Sequence, residues 1–76
     1  MLKVQVNKRT TLYVSFCEDT QPNKGGYYCQ VYADPELECQ VDDFVVHNYQ
    51  LRGLNENEKK KRACVIANSV VKGRYA

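Results

Sequence analysis

At 76 residues and 8.8 kDa the chain has room for one hydrophobic core, which excludes a two-domain organisation. Apolar residues make up 43% of it, ten of them Val, and no apolar run nears the roughly 18 to 20 residues of a membrane span, so disorder and membrane insertion are both disfavoured. The formal net charge of +2 conceals segregation, +3 over residues 1–17, −6 over 18–43 and +5 over 44–76, so a partner of either sign can be accommodated.

The first three segments alternate apolar and polar residues with a period of two, the pattern of strands with one buried face. Leu2, Val4 and Val6 alternate with Lys3, Gln5 and Asn7, predicting a strand over about 2–7. Leu12, Val14 and Phe16 alternate with Tyr13, Ser15 and Cys17, predicting a second over 11–17. After a connection dense in turn residues, from Thr20 to Gly26, Cys29, Val31 and Ala33 alternate with Tyr28, Gln30 and Tyr32 in a third strand over 27–33.

Beyond Pro35, Leu37, Cys39 and Val41 alternate with Glu38, Gln40 and Asp42, which extends a fourth strand over about 37–47. Strict alternation would turn Asp43 inward, and a β-bulge at Asp42-Asp43 returns Phe44 and Val46 to the buried side. The alternative for this stretch is a short helix from Asp42 to Arg52 ended by Gly53.

Register follows from the requirement that neighbours bury one common face. Val6 is expected opposite Leu12, Phe16 opposite Cys29, Val14 opposite Val31, and Ala33 opposite Leu37. In the last element Ala63, Ile66, Ala67, Val70 and Val71 form one stripe at helical period, predicting an amphipathic helix over about 56–72. Asn55 and Glu58 supply a capping box at its start, and Gly73 is expected to cap its end. The predicted fold is α+β, a four-stranded antiparallel meander with this helix packed on one face.

One helix covers one face of such a sheet, and the uncovered face receives Lys3, Gln5, Tyr13, Ser15, Tyr28, Gln30, Tyr32, Glu38 and Gln40. Tyrosine offers large contact area at low entropy cost, with a hydroxyl for hydrogen bonding, and is enriched in binding hot spots. Strand propensity and cross-strand packing alone also favour Tyr at these positions.

The run Lys59-Lys60-Lys61-Arg62, extended by Lys72 and Arg74, has the composition of a contact for nucleic acid or an acidic partner. Glu56 and Glu58 sit four residues before Lys60 and Arg62, so helical ion pairs are the competing use of these bases. Asp34, Glu36, Glu38, Asp42 and Asp43 form an acidic patch suited to blunting an edge strand.

Chemistry-bearing motifs are sparse. Cys17, Cys29, Cys39 and Cys64 lack the C-x-x-C spacing of zinc and redox sites, so no metal or cofactor is expected. No hydrophobic leader follows Met1, and free thiols in a cytoplasmic setting are expected. His47 is the only histidine, and no catalytic signature surrounds it or the cysteines, so enzymatic activity is not expected. In size, lack of chemistry and segregated charge, the chain resembles in organisation small phage-encoded inhibitors such as anti-CRISPR proteins, with no residue to carry over.

The sequence thus points to a non-catalytic interaction protein that binds a protein partner stoichiometrically through the Tyr-bearing face or a sheet edge, or that pairs with a second copy there. The alternative is a nucleic-acid-binding module in which Tyr13, Tyr28 and Tyr32 stack bases while Lys3, Lys8, Arg9 and the helix bases hold the backbone.

Overall fold

The computed structural model describes residues Met1–Ala76. Four strands form one antiparallel sheet in the order β1-β2-β3-β4: β1 Leu2–Gln5, β2 Thr11–Glu18, β3 Tyr27–Tyr32 and β4 Gln40–Val46. A 3-10 helix over Asn48–Leu51 leads to a 20-residue helix, α1, over Glu56–Tyr75. The molecule is α+β, a meander with one C-terminal helix on its inner face.

Alternation decides which face is buried. Val4, Leu12, Val14, Tyr27, Cys29, Val31, Phe44 and Val46 point to the same side and are buried. Ala63, Ala67 and Val71, at i, i+4 and i+8, close over them from α1, with Ile66 and Val70 half-buried alongside. The small Ala side chains let α1 lie close to the sheet. Asn55 accepts from Glu58 N–H at 2.9 Å while the Glu58 carboxylate accepts from Asn55 N–H at 3.2 Å, so the expected capping box forms.

The middle hairpin has the expected register, with Phe16 opposite Cys29, Val14 opposite Val31 and Tyr13 opposite Tyr32. In the first hairpin Val4 lies opposite Leu12 and Leu2 opposite Val14, a slip of two residues from the expected pairing. A two-residue slip leaves every side chain on its expected face. It arises because Val6 and Asn7 already turn, both donating backbone N–H groups to the Thr10 carbonyl.

The fourth strand departs further. Residues 33–39 are not strand but a loop wound around Asp34, whose carboxylate accepts from Glu38 N–H at 3.0 Å and Cys39 N–H at 2.7 Å. Such an Asx-type turn competes with extended backbone. Leu37 adopts the left-handed region at φ 60°, and Ala33, Cys39 and Val41 are exposed rather than inward. Cys29 therefore faces Phe44, not Val41. The bulge sits at Val41, one residue before the expected site, since Tyr32 pairs with Gln40 while Val31 pairs with Asp42. It still restores Phe44 and Val46 to the core.

Each of the two readings of 42–52 captures part of the structure, a strand to Val46 and then one turn of 3-10 helix. That turn buries Leu51 completely, plugging the end of the core between β4 and α1. Gly53 follows at φ 82°. Gly26 is required for a different reason: a Cβ there would collide with the Val46 carbonyl oxygen. Asn23 ties this β2–β3 connection to β4, donating to Val46 O at 3.2 Å and accepting from Asn48 N–H at 2.8 Å.

The helix end also differs from expectation. Gly73 is inside α1, which runs on to Tyr75. The last turn is held by Asp42, whose carboxylate accepts from Arg74 Nη1 at 2.8 Å and from the Tyr75 hydroxyl at 2.9 Å. Arg74 also lies 5.5 Å from the Phe44 ring centroid, within cation–π range.

Candidate interaction surfaces

The face opposite α1 assembles most of the residues expected there. Lys3 and Gln5 of β1, Tyr13 and Ser15 of β2, and Tyr28, Gln30 and Tyr32 of β3 form one surface, joined by Gln40, Asp43 and Val45 of β4. Tyr13 and Tyr32 are cross-strand neighbours, and Tyr28 stands between Cys17 and Val45. Glu38 is not on this face, because it belongs to the Asp34 loop.

The three tyrosines are half-buried by their neighbours rather than free to swing. The Tyr28 hydroxyl donates to Asp43 Oδ2, and this bond to a carboxylate is the largest cause raising the phenol pKa. Only two strand positions on the face carry formal charge, Lys3 and Asp43, and their signs are opposite.

Lys59, Lys60, Lys61 and Arg62 lie in the first half of α1, on the other side of the sheet. The tyrosines and these bases therefore cannot form one flat binding surface. The anticipated Glu56–Lys60 and Glu58–Arg62 ion pairs do not form. Glu58 is committed to the capping box, and Glu56 approaches Lys59 instead, at 4.0 Å with its own side chain 75% exposed. Lys60, Lys61 and Arg62 are exposed and have no ion-pair partner. Arg74 leaves the expected basic stripe for the bridge to Asp42.

The acidic patch is largely spent on structure. Backbone donors, that of Cys39 first, hold the Asp34 carboxyl below the usual carboxylate range. Arg74 does the same for Asp42. Asp43 receives Tyr28, and only Glu36 and Glu38 of the group project without a partner.

All four cysteines are unpaired. Burial pushes the Cys29 thiol up to about 12, so it behaves as a small core hydrophobe. Cys64 is half-buried, lining a cleft of about 290 Å³ with Phe16, Glu18, Tyr27 and Lys60. Phe16 and Tyr27 meet edge to face there, with ring centroids 6.2 Å apart. His47 stacks on Tyr49 at 5.1 Å, and Asp43 accepts from the Tyr28 hydroxyl. No group of three or more His, Cys, Asp or Glu side chains could hold a metal ion. No helix is long and apolar enough to cross a membrane.

A second cleft, of about 330 Å³, brings together residues that the periodicity did not single out. Lys24 and Gly25 come from the β2–β3 connection, Asn48 and Leu51 from the 3-10 helix, Arg52, Gly53 and Leu54 from the turn between the two helices, and Lys59 from α1. Lys24 and Arg52 sit in loops, where no hydrophobic pattern marks a residue's direction. Comparison with protein-family models, curated proteins and solved structures returned no match, so the surfaces themselves carry the functional argument.

Proposed function

We propose that this chain is a non-catalytic interaction protein whose uncovered sheet face binds a protein partner stoichiometrically. The observation that carries this reading is the composition of the face, three half-buried tyrosines among amides and hydroxyls with only Lys3 and Asp43 charged. Tyr enrichment with charge depletion characterises the buried centre of protein interfaces. A phosphate backbone needs a cationic surface, and one lysine on this face does not supply it.

The face is favoured over strand addition at β4, because that edge is bulged at Val41 and Arg74 donates to the Asp43 carbonyl at 3.3 Å along it. The other edge strand, β1, is only four residues long. A small chain that occupies a partner's surface in this way suits an inhibitor that acts by steric exclusion.

The test is affinity capture from host extract by the native chain and by the double variant Tyr13→Ala, Tyr32→Ala, with folding checked by circular dichroism. The cross-strand pair contributes about 0.2 to 1 kcal/mol to stability, so the variant stays folded. If the two tyrosines anchor the interface, affinity for the captured protein falls by about 30-fold or more. Undiminished capture by the folded variant rejects the face as the site, and capture abolished by nuclease replaces the protein partner with a nucleic acid.

A further inference from the structure

The cleft around Lys24, Arg52 and Lys59 has features that the sheet face lacks. Its three cations come from three separate segments, and no carboxylate lines it. Lys24 and Arg52 have no ion-pair partner, and Lys59 has only the long contact to the exposed Glu56. Glu18, Asp19 and Glu56 line the neighbouring cleft, on the far side of Lys24 and Lys59. Among these acids, Asp19 is already engaged by the Asn23 amide at 2.9 Å and by Thr20 N–H at 2.9 Å.

The walls of the cleft are fixed. The Asn48 amide donates to the Lys24 carbonyl at 3.1 Å, while Asn48 N–H donates to the Asn23 carboxamide, so the Lys24 loop and the 3-10 helix are tied together. Leu51, fully buried, anchors the same turn in the core, which places Arg52 directly after an immobile residue. Gly53 leaves open space where a side chain would otherwise stand.

The 3-10 helix that supplies Asn48 and Leu51 to this cleft also carries an exposed aromatic ring. Tyr49 follows Asn48 and is 62% exposed, and the His47 ring covers one of its faces at 5.1 Å with the planes 15° from parallel. The outer part of the Tyr49 ring is free to extend that stack. Lys60, Lys61 and Arg62 on the same helix as Lys59 also lack ion-pair partners, Lys61 and Arg62 beside Leu54 and Lys60 beside Phe16 and Tyr27. Cations that track a backbone beside an exposed aromatic ring are the combination that single-stranded nucleic acids require.

We infer that this cleft binds a backbone phosphate of single-stranded nucleic acid, with Lys24, Arg52 and Lys59 as the phosphate contacts and Tyr49 as a stacking platform for an adjoining base. The site is separate from the tyrosine-bearing sheet face and does not depend on it. Duplex is the poorer ligand, because its bases are not free to stack on Tyr49.

The experiment is fluorescence anisotropy with labelled oligothymidylate across a salt series from about 50 to about 300 mM. Heparin, inorganic phosphate and the duplex form of the oligonucleotide serve as competitors, and circular dichroism checks each variant. The native chain binds, and its affinity falls linearly with salt on logarithmic axes. The double variant Lys24→Ala, Arg52→Ala binds more weakly by about 10-fold or more, with a salt slope smaller by about 0.7, the value of the one phosphate the cleft neutralises. Tyr49→Ala weakens binding by about 5-fold or more with the slope unchanged, since stacking releases no counterions. Tyr13→Ala with Tyr32→Ala leaves oligonucleotide binding intact, so this inference and the sheet-face reading fail separately. Native affinity in the folded Lys24→Ala, Arg52→Ala variant overturns the site. An effect of the cations without any effect of Tyr49→Ala, or competition by inorganic phosphate at least as strong as by oligonucleotide, overturns the nucleic-acid assignment and leaves a phosphate site.

Discussion

Replacing Asp42 with Ala removes the carboxylate that fastens the end of α1 to β4. Two hydrogen bonds to a charged oxygen are lost, from Arg74 at 2.8 Å and from Tyr75 at 2.9 Å, together with the Asp42 contact to Asp43 N–H at 2.8 Å. A buried bond to a charged group contributes about 1.5 to 3 kcal/mol, but the Arg74 side chain is 46% exposed, and solvent screening lowers the sum to about 1 to 2 kcal/mol. A domain of this size has about 4 to 11 kcal/mol in total, at about 0.05 to 0.15 per residue. The expected fall in Tm at neutral pH is therefore about 5 to 15 °C, read by circular dichroism.

The pH dependence gives the same prediction a sign. Asp42 has a lowered pKa in the folded protein, chiefly from Arg74, so its contribution is fully present above the unfolded carboxylate range and is lost as pH falls through the lowered value. Asp19 and Asp34 are lowered as well, so the native chain itself weakens in acid. The informative quantity is the difference between native chain and variant, which should be widest at neutral pH and shrink in acid. A difference that stays constant with pH, or a variant that melts with the native chain at neutral pH, would show that the helix end is held by packing alone. Arg74→Met, which keeps an apolar stem over Phe44, should reproduce most of the loss.

Two further outcomes test other parts of the structure. Leu51→Ala should cost about 3 kcal/mol, the transfer and cavity cost of a fully buried leucine, and should lower the urea midpoint with an unchanged m value; a loss under about 1 kcal/mol would mean that the 3-10 turn is not a core plug. Thiol labelling of the native protein should be fast at the exposed Cys17 and Cys39, slower at Cys64, and limited by unfolding at Cys29, whose pKa is pushed up to about 12. Labelling of Cys29 as fast as Cys17 would contradict the packing of α1 over β3.

How far the sequence revealed this depends on which force set each residue's position. Where burial decides, as at Val14, Val31, Ala63 and Ala67, hydrophobic period identified both the element and its face. It misled over 33–41, where the alternation of Leu37, Cys39 and Val41 is real but local hydrogen bonding to Asp34 prevails over it. A single carboxylate capturing two backbone N–H groups leaves no periodic trace. The sheet face was legible because it is the complement of the buried one. Lys24 and Arg52 were not, since loops carry no period and their convergence depends on the Asn23 and Asn48 bonds between distant segments.

The segregated charge takes on a different meaning once folded. The acidic middle of the chain suited the blunting of an edge strand, and in the fold Asp34, Asp42 and Asp43 serve a loop, a helix end and a tyrosine. In the first half of α1 the capping box withdraws Glu58 from ion pairing, and Lys60, Lys61 and Arg62 stay unpaired. Asp34, Asp42, Asp43 and Glu58 are thus taken up by the fold's own hydrogen bonding, while Lys60, Lys61 and Arg62 stay exposed. Since α1 covers the inner side of the sheet, those bases and the charge-poor tyrosine face look in different directions. On the two proposals above, the protein partner and the polyanion would occupy opposite sides of the molecule and would not compete.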